Sequence, residues 1–171
     1  MILDSVLRAY QTPTRMVHAI GALSALGDEA KALGLRRPLI VTDQGLVKAG
    51  LLDEAKKPLQ AKGLDVVVYA EVRANPGIAL VDAGARYYKS EKCDGLVAIG
   101  GGSSIDTAKG IGVVAAHDGS ILDYEWGHDP IKNRIPPMIT AHRVTSLPVP
   151  AVVGTAIIGG MRFLMGSWPH S

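Results

Sequence analysis

The chain holds a single cysteine, Cys93, one phenylalanine and two tryptophans in 171 residues. One thiol allows no intramolecular disulfide, so a reducing, cytoplasmic setting is expected and the fold must rest on its core. Long apolar runs are missing too: none approaches the ~18–20 residues that a membrane-spanning helix needs. The opening stretch MILDSVLRAY sets Asp4 where a signal peptide would have its apolar centre, which argues against secretion. Charge of one sign is scarce. The formal net charge is +2, and Lys and Arg never cluster beyond a pair. Neither nucleic acid nor an anionic membrane is therefore expected as a partner.

Against these absences, 47% of residues are hydrophobic and 20% charged, the balance of a globular protein. The length suffices for one core and is short for two full domains. Four apolar runs stand out: PLIVTD (Pro38–Asp43), LDVVVYAEV (Leu64–Val72), DGLVAIGGG (Asp94–Gly102) and PPMITA (Pro136–Ala141). They are rich in Val and Ile and do not alternate with polar residues, as strands buried on both faces of a parallel sheet do.

Between the runs, apolar residues recur at helical spacing over Ala22–Leu33, Leu46–Ala61, Gly77–Glu91 and Ser103–Ala116. Pro58 is expected to kink or shorten the second of these. The alternation β-α-β-α-β-α-β-α-β predicts an α/β fold, a doubly wound, mostly parallel, Rossmann-like sheet with helices on both faces. Past Thr140 the pattern stops. Residues 1–140 read as one α/β domain and 141–171 as an atypical tail.

The stretch VAIGGGSSIDTAKG places three glycines and two serines where a strand passes into a helix, the position at which such sheets bind ligands. Gly100, Gly101 and Gly102 carry no side chain to keep a phosphate from backbone N–H groups. Ser103 or Ser104 can cap the helix or donate to a phosphate oxygen. Asp106 is expected in the first helical turn, where a carboxylate suits the helix dipole. A flexible turn with a good cap is the plainer alternative. The spacing is neither G-x-G-x-x-G nor a P-loop.

GGGSSIDTAKGI, with DGLVAI before it and GSILDYE after it, resembles the signature of the iron-containing (group III) alcohol dehydrogenase family. VTDQGLVKAGLLD and ANPG fall where that family has similar segments, and the likeness runs from about Thr14 to Thr140. It implies a nicotinamide dinucleotide and a divalent metal, iron or zinc, that together interconvert alcohols with aldehydes or ketones. It also implies a homo-oligomer at full length, with a helical second half carrying one Asp and three His as metal ligands. That half is not expected among these residues. Carried over by motif, Gly101, Gly102 and Ser103 would hold the pyrophosphate, with Asp106 and Lys109 completing a D-x-x-K element near the cofactor. Asp43 would accept bonds from the adenosine ribose, and a carboxylate there repels a 2′-phosphate, favouring NAD over NADP. Asn75 would lie near the cofactor. By residue type alone, Asp43 is equally a helix cap and Asn75-Pro76 equally a turn.

Of the five histidines (His18, His117, His128, His142 and His170), none sits in H-x-x-x-H, and His128-Asp129 reads as a solvated loop pair, so no metal site is expected. Cys93 reads as a small core residue. A dehydroquinate-synthase-like lyase would share the fold and a GGG-x-x-x-D loop, but T-A-K after the aspartate favours the alcohol dehydrogenases. The remaining alternative is a non-catalytic nucleotide-binding remnant.

Where the family continues into a Thr/Gly/Ser loop ending in GTGSE, this chain reads AHRVTSLPVPAVVGTAII. The codons of Pro148–Val152, read two bases on, can encode Gly-Thr-Gly-Ser, so a frameshifted patch between about Ala141 and Val153 is one reading and divergence the other. AIIGGMRFLM (Ala156–Met165) reads as an apolar surface prone to self-association.

Overall fold

A computed structural model describes Val17, residues 21–124 and residues 133–141. A 3-10 turn (Ala22–Ala25) leads into α1 (Leu26–Ala32), β1 (Pro38–Asp43), α2 (Gln44–Lys48) and α3 (Leu51–Ala61). Beyond them come β2 (Val67–Val72), α4 (Ile78–Ser90), β3 (Gly95–Ile99), α5 (Gly102–Ala116), a second 3-10 turn (Ile121–Tyr124) and β4 (Met138–Ala141). The four strands are parallel, in the order β2-β1-β3-β4.

The unbroken apolar runs have the burial they predict, because successive side chains of the central strands enter two different cores. Leu39, Val41, Leu96 and Ala98 join residues of α4 and α5, among them Val81, Ala85, Ala108 and Ile111. Ile40, Val97 and Ile139 join Leu26 and Ala30 of α1 and Ala55 and Leu59 of α3. The sheet is thus covered on both faces, the doubly wound α/β arrangement expected. From β1 the chain steps outward to β2, then returns past β1 to β3. That reversal opens a crevice beyond the carboxyl ends of β1 and β3, where open α/β sheets bind ligands.

The amino-terminal end of the sheet is clamped instead. Asp94 accepts the backbone N–H groups of Arg36 (2.7 Å) and Arg37 (3.0 Å), joining the entries of β1 and β3. The Arg37 guanidinium donates to the Glu91 carbonyl and carboxylate, both at 2.7 Å, and pairs with Asp65 before β2.

Two expectations need correcting. Leu46–Ala61 is not one helix disturbed at Pro58. It is α2 and α3, separated at Gly50, whose φ of 77° ends one helix and starts the next. α3 runs through Pro58 to Ala61. The Pro58 carbonyl instead approaches α1 so closely that a Cβ on Gly27 would lie 2.1 Å from it. Second, among the described residues the alternation opens on helix and not on strand: all four apolar runs are strands, and no run stands behind the fifth. No helix among the described residues is long and apolar enough to cross a membrane. His18, His128, Asp129, His142 and His170, the altered loop after Ala141 and the apolar stretch 156–165 lie outside the described residues.

Candidate functional site

Asp43 ends β1, Asn75 lies in the turn after β2, and Gly100–Gly102 come directly after β3, so parallel pairing brings all three to one edge of the sheet. Asp43 is extended (φ −112°, ψ 162°) and is the N-cap of α2, its Oδ1 accepting the Leu46 N–H at 3.0 Å. The two readings of this residue are compatible, because one carboxylate oxygen serves the cap. The other makes no bond among the described residues. Asn75 is exposed with φ 51°, a left-handed conformation that asparagine tolerates better than most residues.

The three glycines have different duties. Gly100 has φ 137°, and a Cβ there would lie 2.6 Å from Ser104 Oγ and 3.0 Å from Leu46 Cδ1. Its N–H donates to the Ala141 carbonyl at 3.1 Å, tying the loop to the end of β4. Gly101 and Gly102 are exposed, and a Cβ on either would meet nothing within 4 Å among the described residues. Past Gly100 the loop therefore leaves open space over bare backbone.

α5 begins there, one residue earlier than its pattern suggests. Gly101 is the N-cap, no side chain caps the helix, and the Ile105 N–H donates to the Gly101 carbonyl at 3.2 Å. The amides before Ile105 have no acceptor one helical turn back, and the dipole adds positive potential at the same point. Neither serine is the cap. Ser103 is half-buried at the second helical position, while Ser104 is 1% exposed and tucked beneath Gly100. Asp106 falls past the first turn and pairs with Lys109, Oδ1 to Nζ 3.3 Å, an i,i+3 contact on the helix surface.

Three contributors escape the motif reading. Leu46 packs beside Gly100 and so couples the loops after β1 and β3. Thr42 and Thr107 are fully buried, with hydroxyls that have no partner among the described residues. The first had a visible signal, a hydroxyl residue inside the otherwise apolar run PLIVT.

Among the described residues no three His, Cys, Asp or Glu side chains come together to hold a metal. His117 engages both ring nitrogens: Nδ1 lies 2.8 Å from the Val113 carbonyl, and Nε2 accepts the Asn133 N–H at 2.9 Å. Cys93 is buried behind β3, and burial foremost pushes its thiol up from 9.0 to about 11. Nearby Glu91 and Asp94 act the same way against an opposing Arg37. A thiol so held stays protonated and is a poor nucleophile.

The family model for iron-containing alcohol dehydrogenase matches residues 13–156, which take in Asp43, Asn75 and the whole glycine loop. The chain belongs to that family. Relatives of this chain include the choline dehydrogenase of Bacillus subtilis. It is 46% identical over 150 residues, which cover 86% of this chain and 36% of that protein. The NAD-dependent methanol dehydrogenase of Bacillus methanolicus is 39% identical over 80% of this chain and 38% of its own length. Among solved structures, the NADH-dependent butanol dehydrogenase A of Thermotoga maritima superposes with a TM-score of 0.74 at 27% identity. That likeness covers 81% of this chain and 35% of that one. The chain thus spans less than two-fifths of the length of these relatives.

Proposed function

We propose that the chain is the cofactor-binding part of an oxidoreductase that interconverts small alcohols with aldehydes or ketones, and that it binds the adenosine and pyrophosphate of NAD. The observation that carries this reading is the open backbone at Gly101 and Gly102, placed at an uncapped helix N-terminus in the crevice beyond β1 and β3. A pyrophosphate fits there: the space is free of side chains, the amides of residues 102–104 are available as donors, and the helix dipole favours an anion.

Asp43 would receive the ribose hydroxyls on its second carboxylate oxygen while the first stays on Leu46. The same charge disfavours the 2′-phosphate of NADP. Asn75, at the same edge, would close the adenosine side, with the Lys109–Asp106 pair beyond the pyrophosphate. Bound NAD supplies a ring that accepts or returns hydride; this chain's part is to hold and orient it. The described residues do not fit the family's metal, since they gather no donor set, and no step is assigned through one. The substrate class is taken from the relatives, named for choline, methanol and butanol, and their dehydrogenase names favour this reading over a lyase. Residues 1–140 would form the cofactor domain, and the tail after it would not complete the family's loop.

Calorimetric titration tests the reading. NAD should give a saturable heat and NADP a weaker one, and the purified chain should show no alcohol turnover even with added iron or zinc. No heat with NAD overturns the binding site. Turnover by the chain alone overturns the division of labour.

A further inference from the structure

The pairing of β1 with β2 slips one residue before the site. Val41 faces Tyr69, but Asp43 faces Val72, so Thr42 stands opposite two residues, Ala70 and Glu71. A two-against-one step is a β-bulge; the extra residue lies on β2, so β2 is the strand that bends, and the residues that follow Thr42 meet a displaced stretch of it. Those residues are Asp43 and, next to it, Gln44, the first residue of α2. The Gln44 Nε2 crosses to β2 and donates to the Ala70 carbonyl inside the bulge at 3.1 Å. α2 is only five residues long and contributes no fully buried residue, so its own burial holds it weakly. Its start is instead fixed by two bonds on adjacent residues: the Asp43 cap to Leu46, and Gln44 to Ala70.

We propose that Gln44 is a positioning residue for the cofactor. Its amide locks the end of β1 to the bulge of β2, and so fixes the direction in which Asp43 presents its unbonded carboxylate oxygen to the ribose. Gln44 touches no part of the ligand in this role and acts through Asp43. The inference rests on the reading of Asp43 as a ribose ligand.

A double-mutant cycle tests it by NAD titration of the whole chain. Gln44→Met keeps length and loses the donor, and should weaken NAD about three- to tenfold, the worth of a misplaced hydrogen bond. In an Asp43→Ala background the same substitution should change NAD affinity less than about twofold, because the group it positions is gone. Inorganic pyrophosphate should bind Gln44→Met as it binds the parent chain. Equal losses in both backgrounds, or no loss in either, overturn the role of Gln44 while leaving the NAD site standing. No NAD binding by the parent chain overturns that site and this inference together.

Discussion

Alanine placed at each of two glycine positions in the loop should separate folding from binding. At Gly102 a Cβ meets nothing within 4 Å, and the position begins α5. Gly102→Ala should therefore leave stability within about 0.5 kcal/mol, with the gain in helix propensity of order 0.5–1 kcal/mol partly realised in a first turn. The added methyl stands where the pyrophosphate would lie, and NAD affinity should fall about 10- to 100-fold, or about 1.4–2.8 kcal/mol. Gly100→Ala inverts the outcome. Its φ of 137° and the approaches of 2.6 Å to Ser104 Oγ and 3.0 Å to Leu46 Cδ1 combine backbone strain with overpacking. Together they should cost about 2–5 kcal/mol of a total stability of order 5–15. Urea unfolding of the three chains, each titrated with NAD, reads both quantities. If Gly102→Ala binds NAD as tightly as the parent, the open backbone is not the phosphate cradle and the reasoning fails.

Asp43→Ala removes the α2 cap and should cost about 1 kcal/mol of stability, whereas Asp43→Asn keeps a cap; both should narrow the preference for NAD over NADP, measured by calorimetry. Cys93 contributes through its raised thiol: stability is undiminished below the ordinary value of 9.0 and should decline as pH rises toward about 11, because the unfolded chain releases that proton first. Urea melts at about pH 8 and about pH 10.5 check this, with Cys93→Ala expected to reduce the difference and leave the part due to Tyr69 and Tyr88, whose phenols burial also raises. Resequencing the gene decides the altered loop: the frameshift reading requires Gly-Thr-Gly-Ser in a shifted frame near Pro148–Val152, and a single frame without it leaves divergence.

The sheet is legible in the sequence because its strands are buried on both faces. Continuous apolar runs such as PLIVTD then mark the strands directly, and β1 matches that run end to end. Helix α4 is equally plain, its apolar spacing bounded by Gly77 and Glu91. The break between α2 and α3 is hidden because Pro58 is a conspicuous breaker by type, while Gly50 acts only through a conformation that tertiary packing selects. In the site, the motif locates Gly100–Gly102 but cannot divide their duties. That division depends on the neighbours of each one: Ser104 and Leu46 beneath Gly100, and nothing over Gly101 and Gly102. Hydroxyl chemistry makes both serines candidates, yet one residue of helix phase turns Ser104 inward. The bulge of β2 opposite Thr42, and the Gln44 bond that reaches into it, leave no mark in a one-dimensional pattern, since both depend on which strand lies alongside.

The most direct measurement is an amide-resolved NMR titration of the 15N-labelled chain with NAD. The N–H signals of Gly101, Gly102 and Ser103 should move together and saturate, accompanied by those around Asp43, with Asn133 and the Arg37 clamp unmoved. Saturable binding that leaves the Gly101–Ser103 amides in place, or no binding at all, would contradict the account.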